Sequence, residues 1–389
     1  MAAPSTGTPL AAHTKTPQLK HSAWIEVNLD NLQHNLGELE KHSKVPVLPV
    51  LKGDAYGHGA PAIAAFLKKQ GYKRLAVSTV DEALPIVRKV RDVSILLLTP
   101  PLPDQLDLVC KYRLTPTVCT GKLIHQLTAI AKAKGQRTSV ELKIDTGLGR
   151  LGARLEEIPM LAALIKKTPW LKLQGVFTHF SAAFADPVFT RYQLSQLLEV
   201  RTLLQAHGWH ELYWHAANSA AFVLYPESHL NLVRIGTLLY GQSPVPLDDS
   251  WQLLPTWECK ARIIQIRQFA KGETIGYGRE YRTKRPVRAG IIPLGYSHGL
   301  MLEPEKSPWR QIGSVVGRVI ISPPSPISHN KKPLPILGRI GMGLTCVDLS
   351  SVPELEEGDV VTAAMRRVTA SQSLPKIYLV GGRLRQEYP

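Results

Sequence analysis

Eight short apolar runs recur along the first two thirds of this chain, and that series constrains the fold more than any other feature. They fall at Val45–Leu51, Arg74–Ser78, Val93–Leu98, Leu114–Cys119, Ser139–Ile144, Leu173–Thr178, Glu211–His215 and Leu232–Ile235. Each reads as a strand, and several are apolar on both faces, as parallel strands sheathed by helices must be. Helical stretches separate them. Gly59–Lys69 carries Ile63, Phe66 and Leu67 at helical spacing, and Pro187–Gln205 carries Leu194, Leu197, Leu198 and Leu204. Eight strand–helix units in succession predict an α/β chain with an N-terminal (β/α)8 TIM-like barrel.

After Trp257 the texture changes. Cys259–Arg267, Arg288–Pro293 and Ser314–Ile321 are strand-like with no long amphipathic helix between them, and Pro323, Pro324 and Pro326 mark a loop before Lys331-Lys332. A C-terminal, mostly β domain is expected. The division predicted is a disordered tail at 1–22, rich in Ala, Pro, Thr and Ser, a barrel at 23–256, and a β domain at 257–389. Trp24-Ile25-Glu26-Val27 also alternates, and it adds a strand to one domain or the other.

Charge and cysteine usage exclude several classes. The 389 residues carry a net charge of +16. Between Glu258 and Arg339 there are 15 Lys and Arg against 5 Asp and Glu. No long basic run and no nucleic-acid motif accompanies the excess, so a solvated basic face or attraction of an anionic cofactor accounts for it and nucleic acid is not expected as a partner. Cys110, Cys119, Cys259 and Cys346 form no CxxC pair and no zinc spacing, which reads as reduced thiols in a cytoplasmic protein. No apolar stretch approaches the roughly 20 residues of a membrane helix.

Barrel chemistry gathers at the C-terminal ends of the strands. The residues there are Lys52, Asp145, His179, Asn218-Ser219 and Gly236. A lysine ending an apolar strand is partly desolvated, which lowers the cost of its neutral amine and suits it to Schiff-base chemistry; the alternative is a solvent-facing lysine. Gly147-Leu-Gly149-Arg-Leu-Gly152 fits the dinucleotide pattern GxGxxG. A Rossmann site also needs an acidic residue about 20 positions on, and none lies between Glu157 and Asp186. The match is therefore rejected.

The string Val50-Leu51-Lys52-Gly53-Asp54-Ala55-Tyr56-Gly57-His58-Gly59 resembles the pyridoxal-phosphate lysine motif of the alanine racemase family. The resemblance extends along nearly the whole chain. It continues through Lys143-Ile-Asp145-Thr-Gly147-Leu-Gly149-Arg150, Thr178-His179-Phe180, His215-Ala-Ala-Asn218-Ser219-Ala220 and Val233-Arg234-Ile-Gly236. In the second domain it takes in Ile275-Gly-Tyr277-Gly278, Leu294-Gly295-Tyr296, Gly338-Arg339-Ile-Gly-Met342 and Leu374-Pro375-Lys376-Ile377-Tyr378.

That resemblance implies a fold-type III racemase using pyridoxal 5′-phosphate. It would interconvert L- and D-alanine by two opposed acid–base groups and supply D-alanine for peptidoglycan. Lys52 would hold the cofactor and act on one face of Cα, and Tyr277 would act on the other from a second subunit. A free phenol ionises near about pH 10, so a tyrosine in that role needs cationic neighbours. Arg234 would face the pyridine nitrogen; an arginine does not readily release a proton, which favours racemisation over decarboxylation. Tyr56, Ser219, Gly236, Thr237 and Tyr378 are the implied phosphate ligands. His179 either meets the cofactor ring or packs, and His215 would support Arg234. Arg150 and Met342 would bind the substrate carboxylate. Lys143 matches a position carbamylated in many members, or else makes an ordinary contact with an acid. The implied assembly is a homodimer with shared sites.

Three departures from the family pattern surround the second-subunit side of the pocket. They are Gly343 in place of Asp, Ser297-His298 in place of Ala-Asp, and a short stretch between Asp359 and Leu374. They bear on substrate range, with serine or larger amino acids as alternatives. Two rival classes are a pyridoxal-phosphate-binding protein with weak catalysis, against which the presence of Tyr277 argues, and a binder of nucleic acid or an anionic surface, suggested only by the charge of +16.

Overall fold

The chain enters the fold as a strand, β1 (Ala23–Asn28), and turns into a helix at Leu29–His42, whose first turn is capped by the Asn28 side chain accepting from Asn31 N. The computed structural model describes residues 20–302, 325–386 and 388. The expected strand Ser314–Ile321, Pro323 and Pro324, and the tail through residue 19 lie outside them.

Eight strands follow: β2 (Val47–Pro49), β3 (Arg74–Val77), β4 (Ser94–Leu97), β5 (Thr117–Val118), β6 (Thr138–Lys143), β7 (Leu171–Phe177), β8 (Tyr213–His215) and β9 (Val233–Ile235). They close into a parallel barrel. Ladders join β3 to β4, the run β5-β6-β7-β8, and β2 to β9. Single bridges at Val50–Ala76 and Leu96–Thr115 and the bond from Arg234 N to Ala217 O (3.0 Å) complete the ring.

Alternation along these strands sorts side chains into two layers. Leu75, Val77, Ile95, Leu97, Val140, Leu142, Val233 and Ile235 join the large core beneath the helices. Leu48, Val50, Ala76, Leu96 and Leu232 form a small separate cluster inside the barrel. The inward positions of β6, β8 and β9 carry Glu141, Lys143, His215 and Arg234, all buried. One side of the barrel interior is thus apolar and the other is charged.

The C-terminal strands are β10 (Trp257–Arg262), β11 (Gln265–Phe269), β12 (Thr274–Ile275), β13 (Tyr281–Arg282), β14 (Val287–Ile292), β15 (Ile327–His329), β16 (Lys332–Pro333), β17 (Thr345–Asp348), β18 (Val360–Ala363), β19 (Lys376–Val380) and β20 (Arg383–Arg385). Seven strands make one sheet in the order β16-β15-β18-β10-β1-β19-β20, and β11-β14-β17 make a second. The run expected as one strand at Cys259–Arg267 is two. Ile263 N is bonded to Asp359 O and Ile264 N to Ile291 O, so the chain passes from one sheet to the other there.

The opening strand belongs to this second domain. β1 lies antiparallel to β10 and parallel to β19, with Ile25 opposite Cys259 and Lys376. The barrel therefore begins after β1, not at residue 23. Cys110, Cys119, Cys259 and Cys346 are all unpaired. Among the described residues no helix is long and apolar enough to cross a membrane.

Ile25 is 1% exposed on an interior strand of the seven-stranded sheet. Ile25→Ala should cost about 2–5 kcal/mol, read as a fall in urea midpoint at unchanged slope. An unchanged midpoint would remove β1 from the sheet's stability.

Candidate functional site

The carboxyl ends of the barrel strands surround a cavity of about 450 Å³. Lys52, Tyr56, Lys143, Arg150, His179, Ser219, Arg234, Gly236 and Thr237 all line it. Four are lysines or arginines, and no carboxylate of the described residues lines the wall. Among the described residues no cluster of His, Cys, Asp and Glu could hold a metal. The cavity is built for an anion.

Lys52 is presented by an unusual turn. Gly53, Asp54, Ala55 and Tyr56 all have φ between +54° and +61°, which makes one turn of left-handed helix. Each non-glycine residue there costs roughly 1–2 kcal/mol, so the turn must be held. Glu82 accepts from Gly53 N (2.8 Å) and Ser78 N (2.7 Å). The Asp54 carboxylate accepts from Ala60 N (2.7 Å) and pairs with Lys376 (3.1 Å). His58 is fully buried; its Nδ1 donates to the Ala55 carbonyl (2.8 Å) and its Nε2 meets Thr256 Oγ1 (2.8 Å). Burial and then the Arg367 charge push His58 down to about 3, so it is a neutral strut. The C-terminal domain closes the clamp through Trp257, whose indole N–H donates to Gly57 O (3.2 Å).

Tyr378 belongs to that clamp. Its hydroxyl donates to His58 O (3.1 Å). The residue lies behind the lysine turn, where a Cβ on Gly59 would meet its hydroxyl at 2.2 Å.

The floor of the cavity is a buried charge network. Arg234 donates from Nη1 to His215 Nδ1 (2.8 Å) and His215 O (2.9 Å). From Nη2 it donates to Thr178 O (2.7 Å) and Ala216 O (2.9 Å), with His179 Nδ1 at 3.4 Å. Burial lowers its pKa to about 10, still well above neutral, so it stays a cation. His179 is pushed down to about 3 by burial and then by Arg234, Lys52, Lys143 and Arg150. It sits at the cavity wall as a neutral ring.

Two amines are shifted the same way. Burial, then the Arg150 and Arg234 charges, lowers Lys52, although the mouth of the cavity leaves its side chain reachable by solvent. Burial, then Arg234 and Arg150, lowers Lys143 to about 8. Lys143 donates to Leu98 O (3.2 Å) and, among the described residues, has no acidic partner within salt-bridge distance.

The GxGxxG segment has a physical role after all. The Asp145 carboxylate accepts from Gly147 N (3.0 Å), Leu148 N (2.9 Å) and Gly149 N (3.1 Å), so an internal anion takes the N–H groups a pyrophosphate would need. The turn carries Arg150 to the cavity. On the opposite rim Gly236 N donates to Ser219 Oγ (3.2 Å), and a Cβ on Gly236 would lie 2.2 Å from the Tyr56 hydroxyl. Tyr56, Ser219, Gly236 and Thr237 thus make a cradle that tolerates no side chain at 236. Tyr277 and Met342 are not brought to this cavity; they are 73% and 63% exposed on the C-terminal domain, beside one another at Gly341.

Sequence reasoning missed Glu141, Arg74, Glu82 and Arg367. Glu141 stands two positions before Lys143 on the same strand face, and strand alternation was the signal that would have found it.

A parallel barrel with a lysine- and arginine-lined cavity at the C-terminal ends of its strands, clamped by a β domain, defines the class. Residues 27–244 match the family model for the alanine racemase N-terminal domain, and residues 256–377 match that for the alanine racemase C-terminal domain. The alanine racemase of Desulforamulus reducens is 33% identical over 353 residues, covering 88% of this chain and 90% of that one. The alanine racemase of Chlorobaculum tepidum is 32% identical over 339 residues, covering 86% and 84%. The alanine racemase structure from Clostridium difficile 630 superposes with a TM-score of 0.85 at 26% identity, covering 95% and 98%. That from Bacillus anthracis with bound L-Ala-P gives 0.79 at 26%, covering 95% and 97%. The chain belongs to the alanine racemase family, a family of isomerases.

Gly57 has φ +84°, and a Cβ there would meet Arg367 O at 2.5 Å; Gly53 has φ +61° and open space. Gly53→Ala should cost roughly 1–2 kcal/mol and Gly57→Ala clearly more, measured by chemical denaturation. Equal costs would mean the second domain does not clamp the turn.

Proposed function

We propose that the protein interconverts L-alanine and D-alanine with bound pyridoxal 5′-phosphate, in the cytoplasm, as a homodimer with shared sites, supplying D-alanine for peptidoglycan. The observation that carries this is the acid-free cavity in which Lys52, its amine lowered, shares a wall with the buried Arg234.

The donor set suits that cofactor. Tyr56, Ser219 and the Gly236–Thr237 backbone form a cradle for a phosphate, and Arg234 can offer only donors to a ring nitrogen. When bound, the cofactor draws electrons from the substrate's Cα–H bond and so lets the hydrogen leave as a proton. Lys52 holds the cofactor and moves that proton at Cα on one face; its lowered pKa makes the neutral amine more accessible than in a free lysine. Tyr277 of the partner subunit serves the other face. Its exposure on the C-terminal domain, next to Met342, supports delivery across an interface. Arg150 takes the substrate carboxylate. Tyr378, whose hydroxyl donates to His58 O, braces the lysine turn and is the further phosphate ligand that the resemblance implies.

Lys143 suits carbamylation. A neutral amine adds CO2 and releases a proton, giving an anion next to Arg150. With the amine at about 8, the reactive form grows as pH rises toward that value. After incubation with 13C-bicarbonate, the wild type should show a carbamate signal that Lys143→Arg lacks; a signal in neither would leave Lys143 an ordinary amine.

Substrate range is tied to Gly343, where a Cβ would meet only His298 Cε1 at 3.9 Å, so the position is open. The deciding measurement is exchange of L- and D-alanine by the purified protein with pyridoxal phosphate, read by chiral chromatography with L-serine alongside. Conversion of alanine both ways is expected. Cofactor binding without alanine turnover would redirect the activity to another amino acid, and no binding would refute the reading.

Lys52→Ala should abolish the visible absorption of the lysine-bound cofactor, and an unchanged spectrum would sink that assignment. Tyr277→Phe should keep that absorption and lose turnover in one direction far more than in the other. Equal, mild losses would count against opposed bases.

A further inference from the structure

Arg234 is 4% exposed, yet every partner it touches is neutral: two histidine nitrogens and three backbone carbonyls. A buried guanidinium without a counter-charge is costly. The counter-charge stands one residue further in. Glu141, fully buried on β6, has Oε2 at 2.8 Å from His215 Nε2, and its Oε1 is ion-paired with Arg74 of β3. Arg74 lies over the Tyr213 ring at 3.9 Å, at the end of the barrel away from the cavity. The chain Arg74–Glu141–His215–Arg234 therefore crosses the barrel interior.

Its proton positions follow from the chemistry of the groups. A guanidinium can only donate, so His215 Nδ1, 2.8 Å from Arg234 Nη1, must be bare. The imidazole proton is then on Nε2, where the Glu141 carboxylate accepts it. Burial would raise the Glu141 pKa, but the His215 contact and the Arg74 and Arg234 charges outweigh it and keep the group ionised. Burial, acting against Glu141, pushes His215 down to about 4. We propose that Glu141 is a positioning residue for Arg234: it fixes the one imidazole tautomer that can receive the guanidinium and supplies its counter-charge from inside the barrel. Its effect on turnover rests on the function proposed above; the tautomer itself does not.

A glutamine at 141 has a single carbonyl oxygen for two donors. If Arg74 claims it, the amide N–H2 faces His215 Nε2, the ring proton moves to Nδ1, and two donors confront each other at Arg234. The charged and titratable groups facing His215 are Glu141 of β6, Arg234 of β9 and Arg74 of β3; the Phe177 ring of β7 stacks on its face at 4.9 Å. Removing the Arg74 cation leaves Glu141 to pull His215 toward its protonated form. Protonation fills Nδ1 and breaks the bond to Arg234, so activity is lost as pH falls, and this loss begins at higher pH than in the wild type.

The test compares wild type, Glu141→Gln and Arg74→Met, each full length. Histidine-15N spectra, with His215 assigned through His215→Asn, read the tautomer without added cofactor. Wild type should show a bare Nδ1 and a protonated Nε2, and Glu141→Gln should lose that single pattern. With pyridoxal phosphate, Glu141→Gln should lower kcat per bound cofactor at least about tenfold, change KM for alanine less than about threefold, and shift the cofactor's visible band. Arg74→Met should move the acid limb of the kcat profile upward. If Glu141→Gln does not fold, the Arg74→Met limb and its 15N spectrum decide. A merely structural residue would lower Tm while leaving the 15N pattern, band and kcat per bound cofactor unchanged, and that result overturns the proposal. Wild type that neither binds cofactor nor converts alanine would refute the function, while the 15N comparison still decides the role of Glu141.

Discussion

The left-handed turn after Lys52 is the constraint on which the rest of the molecule depends. Three non-glycine residues at positive φ are not self-supporting. They persist because every polar group around them is engaged: Glu82 from the barrel, His58 within the loop, and Lys376, Tyr378, Trp257 and the Arg367 backbone from the second domain. The turn aims one lysine into the cavity. The β domain is therefore part of the site even where none of its described side chains lines the wall, and placing β1 between β10 and β19 of its sheet ties the start of the described chain to that same clamp.

Electrostatics inside the barrel has the same economy. Lys52, Lys143, Arg150 and Arg234 face one cavity with no carboxylate among its described walls, and their mutual repulsion adds to burial in lowering both lysines. Such an arrangement is unfavourable when empty and favourable around an anion. Glu141 offsets it from below the cavity, where it cannot compete with an anionic ligand for Arg150 or Lys52, while Glu82 and Asp145 act on Lys52 and Lys143 from outside the wall. The local excess of cations, and not the net +16 of the chain, carries the meaning. A charge spread over a solvated surface is screened within about a Debye length; one enclosed by protein is not.

The barrel was legible in the sequence because period-two alternation and helical spacing are local signals: all eight strands fall within the expected segments, give or take two residues, and Ala60–Lys69 and Pro187–Ala206 follow their apolar stripes. What was not legible depends on contacts between distant segments. Trp24–Val27 alternates equally well for either domain, and only pairing with Trp257–Ala261 and Lys376–Leu379 assigns it. The strand expected over Cys259–Arg267 divides because Ile263 and Ile264 bond to two different partners, which no local pattern encodes. Glu141 was hidden less deeply: alternation puts it on the same face as Lys143, but its partners Arg74 and His215 lie on other strands.

The glycine-rich loop after β6 shows why a pattern of residues does not determine a ligand. Glycines let successive N–H groups converge, and converging N–H groups hold an anion. In a dinucleotide site the anion is external. Here it is Asp145, two residues upstream of the first glycine, with its carboxylate inside the ring of amides. Burial would raise the Asp145 pKa, but those N–H bonds outweigh it and hold the group below the usual carboxylate range, so the loop closes on its own charge. The outcome inverts the expectation drawn from the pattern alone: the loop does not receive a negative group but displays a positive one, Arg150, at the cavity edge. The same backbone geometry thus serves opposite electrostatic ends, and one aspartate at the start of the turn decides between them.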